Sequence, residues 1–264
     1  VDVRSGPEFR WLERGAGEPV VLLHGLMGQM HDWDDVLDAL AETCRGFAPS
    51  LPLFDTRLPE ATIGALAGWT LAFLDALEID RAVIGGNSLG GHVALEIALT
   101  APERVSGLVL TGSSGLFQRG FTRGVPHRPT EAYVRARMEE LVHDPALVTA
   151  EWLAMVRASV SDPAGARRVL RFARAARREN LEDRLGRIGV PTLLVWGGDD
   201  RITPPEIGAR FHALIPHSRL VVLPCCGHAP MLERPEAFAI PLREWLEATR
   251  AWRAIGGGRA TVPR

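Results

Sequence analysis

Ala82-Val83-Ile84-Gly85-Gly86-Asn87-Ser88-Leu89-Gly90-Gly91 passes from a short apolar stretch into Gly-x-Ser-x-Gly, and residues 91–99 continue with a helical pattern. A serine in a tight turn between a buried strand and a helix is held in strained backbone geometry, its hydroxyl raised above the sheet. The helix N-terminus behind it favours negative charge. Gly86 and Gly90 leave room for the turn and for an approaching substrate. The pentapeptide alone says little; the strand before it and the helix after it supply the context that the motif needs.

Working outward, further apolar runs stand at residues 20–23, 107–110, 192–196 and 220–223, each ending near Gly, Ser, Pro or Asp. Runs that are apolar on both faces suit central strands of a parallel sheet covered by helices. Between them, residues 63–77, 92–99, 205–214 and 235–248 carry apolar positions at helical spacing. Pro102 and Pro216 follow helices as stop signals, and Pro205 and Pro235 sit in first turns. Strand alternating with helix predicts an α/β fold with a doubly wound sheet.

One region breaks the alternation. Residues 116–185 contain no convincing strand but several helical patterns, separated by Pro126, Pro129, Pro145 and Pro163. A helical insertion between two parallel strands is expected to form a cap over the strands' carboxyl ends, where open α/β sheets place their ligands. The expected organisation is a core of residues 1–115 and 186–254, a cap of residues 116–185, and a disordered tail of residues 255–264.

At 264 residues, with 46% hydrophobic and 23% charged content, the composition is that of an ordinary globular protein. A formal net charge of −2 argues against nucleic acid or an anionic membrane as partner. All 30 basic residues are arginine, which identifies no substrate. Cys44, Cys225 and Cys226 form neither a disulfide framework nor a Cys-x-x-Cys metal spacing. His127, His143, His212 and His217 are scattered and show no metal spacing either. Neither a signal-length apolar core at Val1-Asp2-Val3-Arg4 nor a run long enough to span a membrane is present, so a cytoplasmic setting is expected. The chain starts without methionine, which leaves a short preceding segment open.

The strand ends carry the chemistry. His24-Gly25-Leu26-Met27-Gly28 follows the first run, Trp196-Gly197-Gly198-Asp199-Asp200-Arg201-Ile202-Thr203-Pro204 the penultimate one, and Cys226-Gly227-His228 the last. With the serine turn, this gives the chain order Ser, Asp, His. On these motifs the sequence resembles the α/β-hydrolase-fold enzymes, in particular the group of meta-cleavage-product (C–C bond) hydrolases and small carboxylesterases. That resemblance implies a serine hydrolase with a helical cap and no cofactor.

Ser88 is the candidate nucleophile and His228 the candidate general base, with a carboxylate to fix the imidazole tautomer. Asp199 and Asp200 compete for that last role, and the family pattern Trp-Gly-x-x-Asp-x-x-x-Pro falls on Asp200. An oxyanion needs prepositioned donors. The N–H of Leu89 is one candidate, and resemblance points to the N–H of Leu26 as the other, with Met27 as the alternative. His24 is expected to hold the oxyanion loop rather than act as a base. Asn87 is either a substrate contact or a small polar turn residue, and Trp33 either walls the acyl pocket or packs under the cap. Arg167, Arg171, Arg174 and Arg178 form one helical stripe that reads as a solvated face.

Ester and C–C hydrolases share this machinery. Asp144-Pro145-Ala146-Leu147-Val148-Thr149, Asp183-Arg184-Leu185-Gly186-Arg187-Ile188 and the Gly-Asn-Ser turn are similar to the C–C enzymes. Ala229, where those enzymes carry an aromatic residue, is a departure. So is the cap arginine that binds their keto-acid end: Val156 stands at that position, with Arg157 one place along. An ester of small to medium acyl size is therefore the expected substrate. The C–C hydrolase and a non-enzymatic small-ligand sensor are the alternatives, and monomer and homodimer both stay open.

Overall fold

The apolar runs become strands, and the central ones have their side chains enclosed on both faces. β1 (Val3–Ser5), β2 (Arg10–Arg14), β3 (Pro19–Leu23), β4 (Arg45–Pro49), β5 (Ala82–Asn87), β6 (Val105–Thr111), β7 (Thr192–Gly197) and β8 (Ser218–Leu223) form one 8-stranded sheet, in the order β1-β2-β4-β3-β5-β6-β7-β8. Every residue of β5, β6 and β7 is buried. These elements are seen in a computed structural model, which describes residues 3–55, 58, 60–116 and 130–254. The pairs β3–β4, β3–β5, β5–β6, β6–β7 and β7–β8 are parallel, whereas β1–β2 and β2–β4 are antiparallel.

The helices are α1 (Asp34–Leu40), α2 (Ile63–Ala76), α3 (Leu89–Thr100), α4 (Glu131–Glu139), α5 (Ala150–Ser161), α6 (Pro163–Arg178), α7 (Pro205–Leu214), α8 (Pro230–Glu233) and α9 (Pro235–Ala254). Leu66 and Phe73 of α2, Val93 and Ile97 of α3 and Phe211 of α7 cover one face of the sheet. Leu37 and Leu40 of α1, with Phe238, Leu242 and Trp245 of α9, cover the other. β3 pairs with β4 on one side and β5 on the other, so the strand order turns there. That crevice is where ligands bind in open α/β sheets.

No strand lies between β6 and β7 among the described residues, and α4, α5 and α6 fill the interval. Each begins on a side-chain cap: Thr130 Oγ1 accepts from Tyr133 N, Thr149 Oγ1 from Trp152 N, and the Asp162 carboxylate from Ala164 N and Gly165 N. The insert has its own apolar cluster of Val134, Met138, Val142, Val148, Leu153 and Val156, against which Met27 of the core packs. Arg167, Arg171, Arg174 and Arg178 are all exposed, as a solvated face requires. Residues 117–129 and the tail of residues 255–264 lie outside the described residues, so Pro126, Pro129, His127 and the expected disorder fall there.

Candidate active site

Ser88 sits where β5 turns into α3, with φ 54° and ψ −112°. This left-handed conformation is rare for a residue with a side chain and persists only when its surroundings impose it. Here they do. A Cβ on Gly86 would stand 2.5 Å from Gly90 C, and one on Gly90 would stand 2.2 Å from Leu23 O. Both glycines are therefore demanded by backbones in contact. Ser88 N–H donates to Thr111 O at 3.0 Å, and Ser88 O accepts from His92 N–H at 3.2 Å and Ser114 N–H at 3.1 Å. Between residues 82 and 95, Ser88 alone is half-exposed while every other residue is buried.

The carboxylate and the imidazole meet at the ends of β7 and β8, tied to the serine turn by the bond from Asn87 Nδ2 to His228 O at 2.9 Å. His228 Nδ1 lies 2.8 Å from Asp200 Oδ2, and both side chains are almost fully buried. Asp200 is itself held tightly. Its Oδ1 accepts from Ile202 N–H and Thr203 N–H at 2.8 Å each, and its Oδ2 accepts from Thr203 Oγ1 at 2.8 Å. Trp196 Nε1 donates to Thr203 O at 2.7 Å, which pins the same loop to the end of β7. Asp199 faces the other way. It is exposed and pairs with His143 of the insert at 3.0 Å. Between the two neighbouring aspartates, only Asp200 reaches His228.

Both the serine and the histidine rest on the end of β6. Ser88 N–H is bonded to Thr111 O, and the His228 ring packs on Gly112, where an added Cβ would lie 2.8 Å from Nδ1. Asn87 braces the arrangement, donating from Nδ2 to His228 O at 2.9 Å and to Thr111 O at 3.3 Å. Its amide protons thus hold main chain together, and the turn-residue reading of Asn87 describes its placement.

The Gly25 turn faces the serine turn, since a Cβ on Gly25 would stand 3.5 Å from Ser88 Cβ. Gly28 N–H donates to Gly25 O at 3.1 Å, closing a turn with Leu26 and Met27 at its centre. Leu26 N–H takes no part in that bond. Leu89 opens α3, so its N–H lies in the first turn, where the helix provides no acceptor. His24 accepts from Leu51 N–H at Nε2 (3.0 Å) and donates from Nδ1 to Gly25 O (2.8 Å), which fixes it as a neutral brace. Burial lowers its pKa to about 4.

Two expected contacts with substrate fall elsewhere. Trp33 is fully buried with its ring edge-on to Phe238, in the cluster covered by α1 and α9, so it neither walls a pocket nor packs under the insert. The reason is its position at the start of α1, whose apolar face turns towards that side of the sheet. Arg157 is exposed and forms an ion pair with Glu131 of α4, while Val156 points into the cluster of the insert. The buried arginine of the insert is instead Arg168. It donates to Leu58 O at 2.5 Å, lies over the Phe172 ring, and has no hydrogen-bond partner at Nε. Sequence reasoning missed it because it adjoins the exposed stripe at Arg167 and Arg171. Thr203 was also missed, although Asp-x-x-Thr before Pro204 is the signature of an aspartate that caps its own turn.

With His24, two further buried groups give the structure a pH signature. Burial lowers His92 from 6.5 to about 4, as it does His24, and raises Asp32, in the turn before α1, from 3.8 to about 7. The histidines contribute stability that is present above 6.5 and is lost as pH falls towards 4. Asp32 works in the opposite sense: its contribution is full below 3.8 and is lost as pH rises through 7. Asp32→Asn removes only the second term. Its stability relative to the parent protein should rise by on the order of 4 kcal/mol between pH 4 and pH 8. Urea unfolding at a series of pH values checks this, and parallel stability curves for the two proteins would contradict it.

A serine turn, an oxyanion-type loop and a carboxylate–imidazole pair at successive strand ends define an α/β-hydrolase fold. The chain belongs to the alpha/beta hydrolase family, whose model matches residues 20–240. Among its relatives is the 2-hydroxy-6-oxo-2,4-heptadienoate hydrolase of Pseudomonas putida, 32% identical over 92% of this chain and 94% of that protein. Another is the pimeloyl-[acyl-carrier protein] methyl ester esterase of Nitrosomonas europaea, 30% identical over 85% of this chain and 94% of that protein. The acetyltransferase component of the acetoin cleaving system of Pseudomonas putida is 34% identical over 88% of this chain but longer, the match spanning 65% of it. Among solved structures, the alpha/beta hydrolase enzyme MGS-MChE2, from a sediment metagenome, is 33% identical with a TM-score of 0.77, over 94% of this chain and 98% of that one. The protein is therefore a hydrolase, and relatives that cleave esters and relatives named for dienoate hydrolysis flank it. No helix among the described residues is long and apolar enough to cross a membrane.

Proposed function

We propose that the protein hydrolyses small to medium carboxylic esters through an acyl-enzyme. The observation that carries this reading is the buried His228–Asp200 pair at 2.8 Å, joined to the strained Ser88 turn through the Asn87 bond to His228 O. His228 Nε2 takes the Ser88 proton as Oγ attacks the ester carbonyl, and Asp200 holds the Nδ1–H tautomer that leaves Nε2 free to do so. In this reading the N–H groups of Leu89 and Leu26 serve as the donors to the tetrahedral oxyanion. His228 then returns the proton to the departing alkoxide. Water, deprotonated by the same ring, attacks the acyl carbon and releases the acid.

Ala229 after the histidine and the outward ion pair of Arg157 favour the ester over a meta-cleavage dienoate. The C–C reading is supported by the dienoate hydrolase among the relatives and by the buried Arg168 with an unpartnered Nε, a cation that a substrate carboxylate would suit. A side-by-side assay on p-nitrophenyl butyrate and a 2-hydroxy-6-oxo-dienoate separates the two. The expected kcat/KM is at least about tenfold higher on the ester, a difference of about 1.4 kcal/mol in barrier. A larger value on the dienoate overturns the ester reading. Saturable binding of either compound without turnover points to the sensor.

A further inference from the structure

Among the places where the helical insert meets the core is the segment Leu141-Val142-His143, which lies directly on the loop carrying His228. A Cβ on Gly227 would stand 2.8 Å from both His143 N and Leu141 O, so the two backbones touch there. Leu141 O accepts the N–H of His228 itself at 2.7 Å. His143 N–H donates to Glu233 Oε2 at 2.7 Å, and His143 Nδ1 reaches Asp199 Oδ2 at 3.0 Å. Glu233, at the end of α8, also accepts from the core side of this junction. Gly227 N–H lies 2.9 Å and 3.0 Å from its two oxygens, and Ala229 N–H lies 3.3 Å from Oε1.

One carboxylate therefore gathers the N–H groups immediately before and after His228 together with one from the insert. Capping of α8 accounts for the Ala229 contact, since an acidic side chain commonly reaches back to a helix start. It does not account for the bonds to Gly227 and His143. Hydrogen bonds to an ionised acceptor are about twice as strong as neutral ones, so this carboxylate dominates the junction.

We propose that Glu233 is a positioning residue for His228, and that it makes the orientation of the ring depend on the seating of the insert. With the insert seated, Leu141 O and Glu233 fix the main chain on both sides of the histidine. When the insert lifts, Leu141 O and His143 N–H leave together, and the loop loses the bond to His228 N–H and one arm of the clamp. The base is thus fully aligned only when the insert is closed over the site. The proposal rests on the role assigned to His228 above.

The test uses the full chain with Glu233→Gln and Glu233→Ala. On p-nitrophenyl butyrate, kcat should fall by about 10- to 100-fold, the scale expected when a reacting group is misplaced by a fraction of an ångström. KM should stay within about twofold, because the clamp touches the base and not the substrate. Hydrogen exchange gives a second readout that needs no turnover. In the variants the amides of His143, Gly227 and His228 should all exchange faster, while those of β6 stay unchanged. A folded variant with unchanged kcat overturns the proposal, as does faster exchange confined to Gly227 and Ala229. Should both variants fail to fold, exchange in the parent protein decides. One common opening rate for His143, Gly227 and His228 supports the clamp, and His143 exchanging far faster than Gly227 contradicts it. If the parent protein has no esterase activity, the ester reading fails and the exchange pattern alone judges the clamp.

Discussion

Ser88→Ala should reduce ester turnover by on the order of 10⁶-fold while leaving the thermal midpoint within about 2 °C of the parent. The size of the loss follows from the way the parts act together. Without Oγ the His228–Asp200 pair has no proton to take, and only the binding and oxyanion contributions over water remain. The small effect on stability follows from the serine turn, where Ser88 is held through its main chain. Ser88 N–H holds Thr111 O, and Ser88 O holds the N–H groups of His92 and Ser114. Alanine keeps every one of these and leaves the strain at φ 54° in place. Turnover measured with a chromogenic ester and unfolding followed by circular dichroism give both numbers. Retained turnover removes Ser88 from its proposed role.

Asp200→Asn should cost about 10⁴-fold in kcat, whereas Asp199→Asn should cost less than about fivefold. Asp200 accepts three hydrogen bonds from Ile202 and Thr203, and its Oδ2 faces His228 Nδ1 at 2.8 Å. An asparagine that keeps its oxygen on the two main-chain N–H groups must turn its NH₂ towards Nδ1. Nδ1 then becomes the acceptor and the imidazole proton moves to Nε2, so the ring can no longer take the serine proton. Asp199 is exposed and its partner is His143, so its loss removes a surface contact of the kind worth about 0–1 kcal/mol. Steady-state kinetics of the two variants at saturating ester decides the matter, and the reverse order of effects would exchange the two roles.

Five strands can be read in advance. β3, β5, β6 and β7 are almost wholly buried, so each carries an apolar run, and β8 shows one at residues 220–223 although most of it is only half-buried. β1, β2 and β4 were not foreseen, for local reasons. β1 is exposed along its length and has no apolar face to show. In β2 the alternation is broken by Glu13, which is buried yet charged because Arg4 and Arg45 pair with it and Trp11 Nε1 donates to it. β4 contains Gly46 and Pro49, both ordinarily strand breakers, and a Cβ on Gly46 would lie 2.6 Å from Leu37 Cδ2.

At the site, motif spacing singles out Ser88, Asp200 and His228 because each occupies a strand end, where chain order and topology agree. What spacing cannot carry is side-chain direction within a helix or across domains. Arg157 and Arg168 differ in burial although both lie on helices of the insert, and what sets Arg168 apart is its bond to Leu58 O and its place over the Phe172 ring of the same helix. Glu233 reads as the polar end of a short helix, and its bonds to Gly227 and His143 follow from tertiary contact alone.

The most direct measurement of the central claim is covalent trapping. A p-nitrophenyl alkylphosphonate, mimicking the tetrahedral intermediate of ester cleavage, should release one equivalent of nitrophenol and abolish turnover. Peptide mass spectrometry should then find a single phosphonate on Ser88, with labelling slowed in Asp200→Asn to the same degree as kcat. An adduct on another residue, or full ester turnover by a protein that never becomes labelled at Ser88, would contradict it.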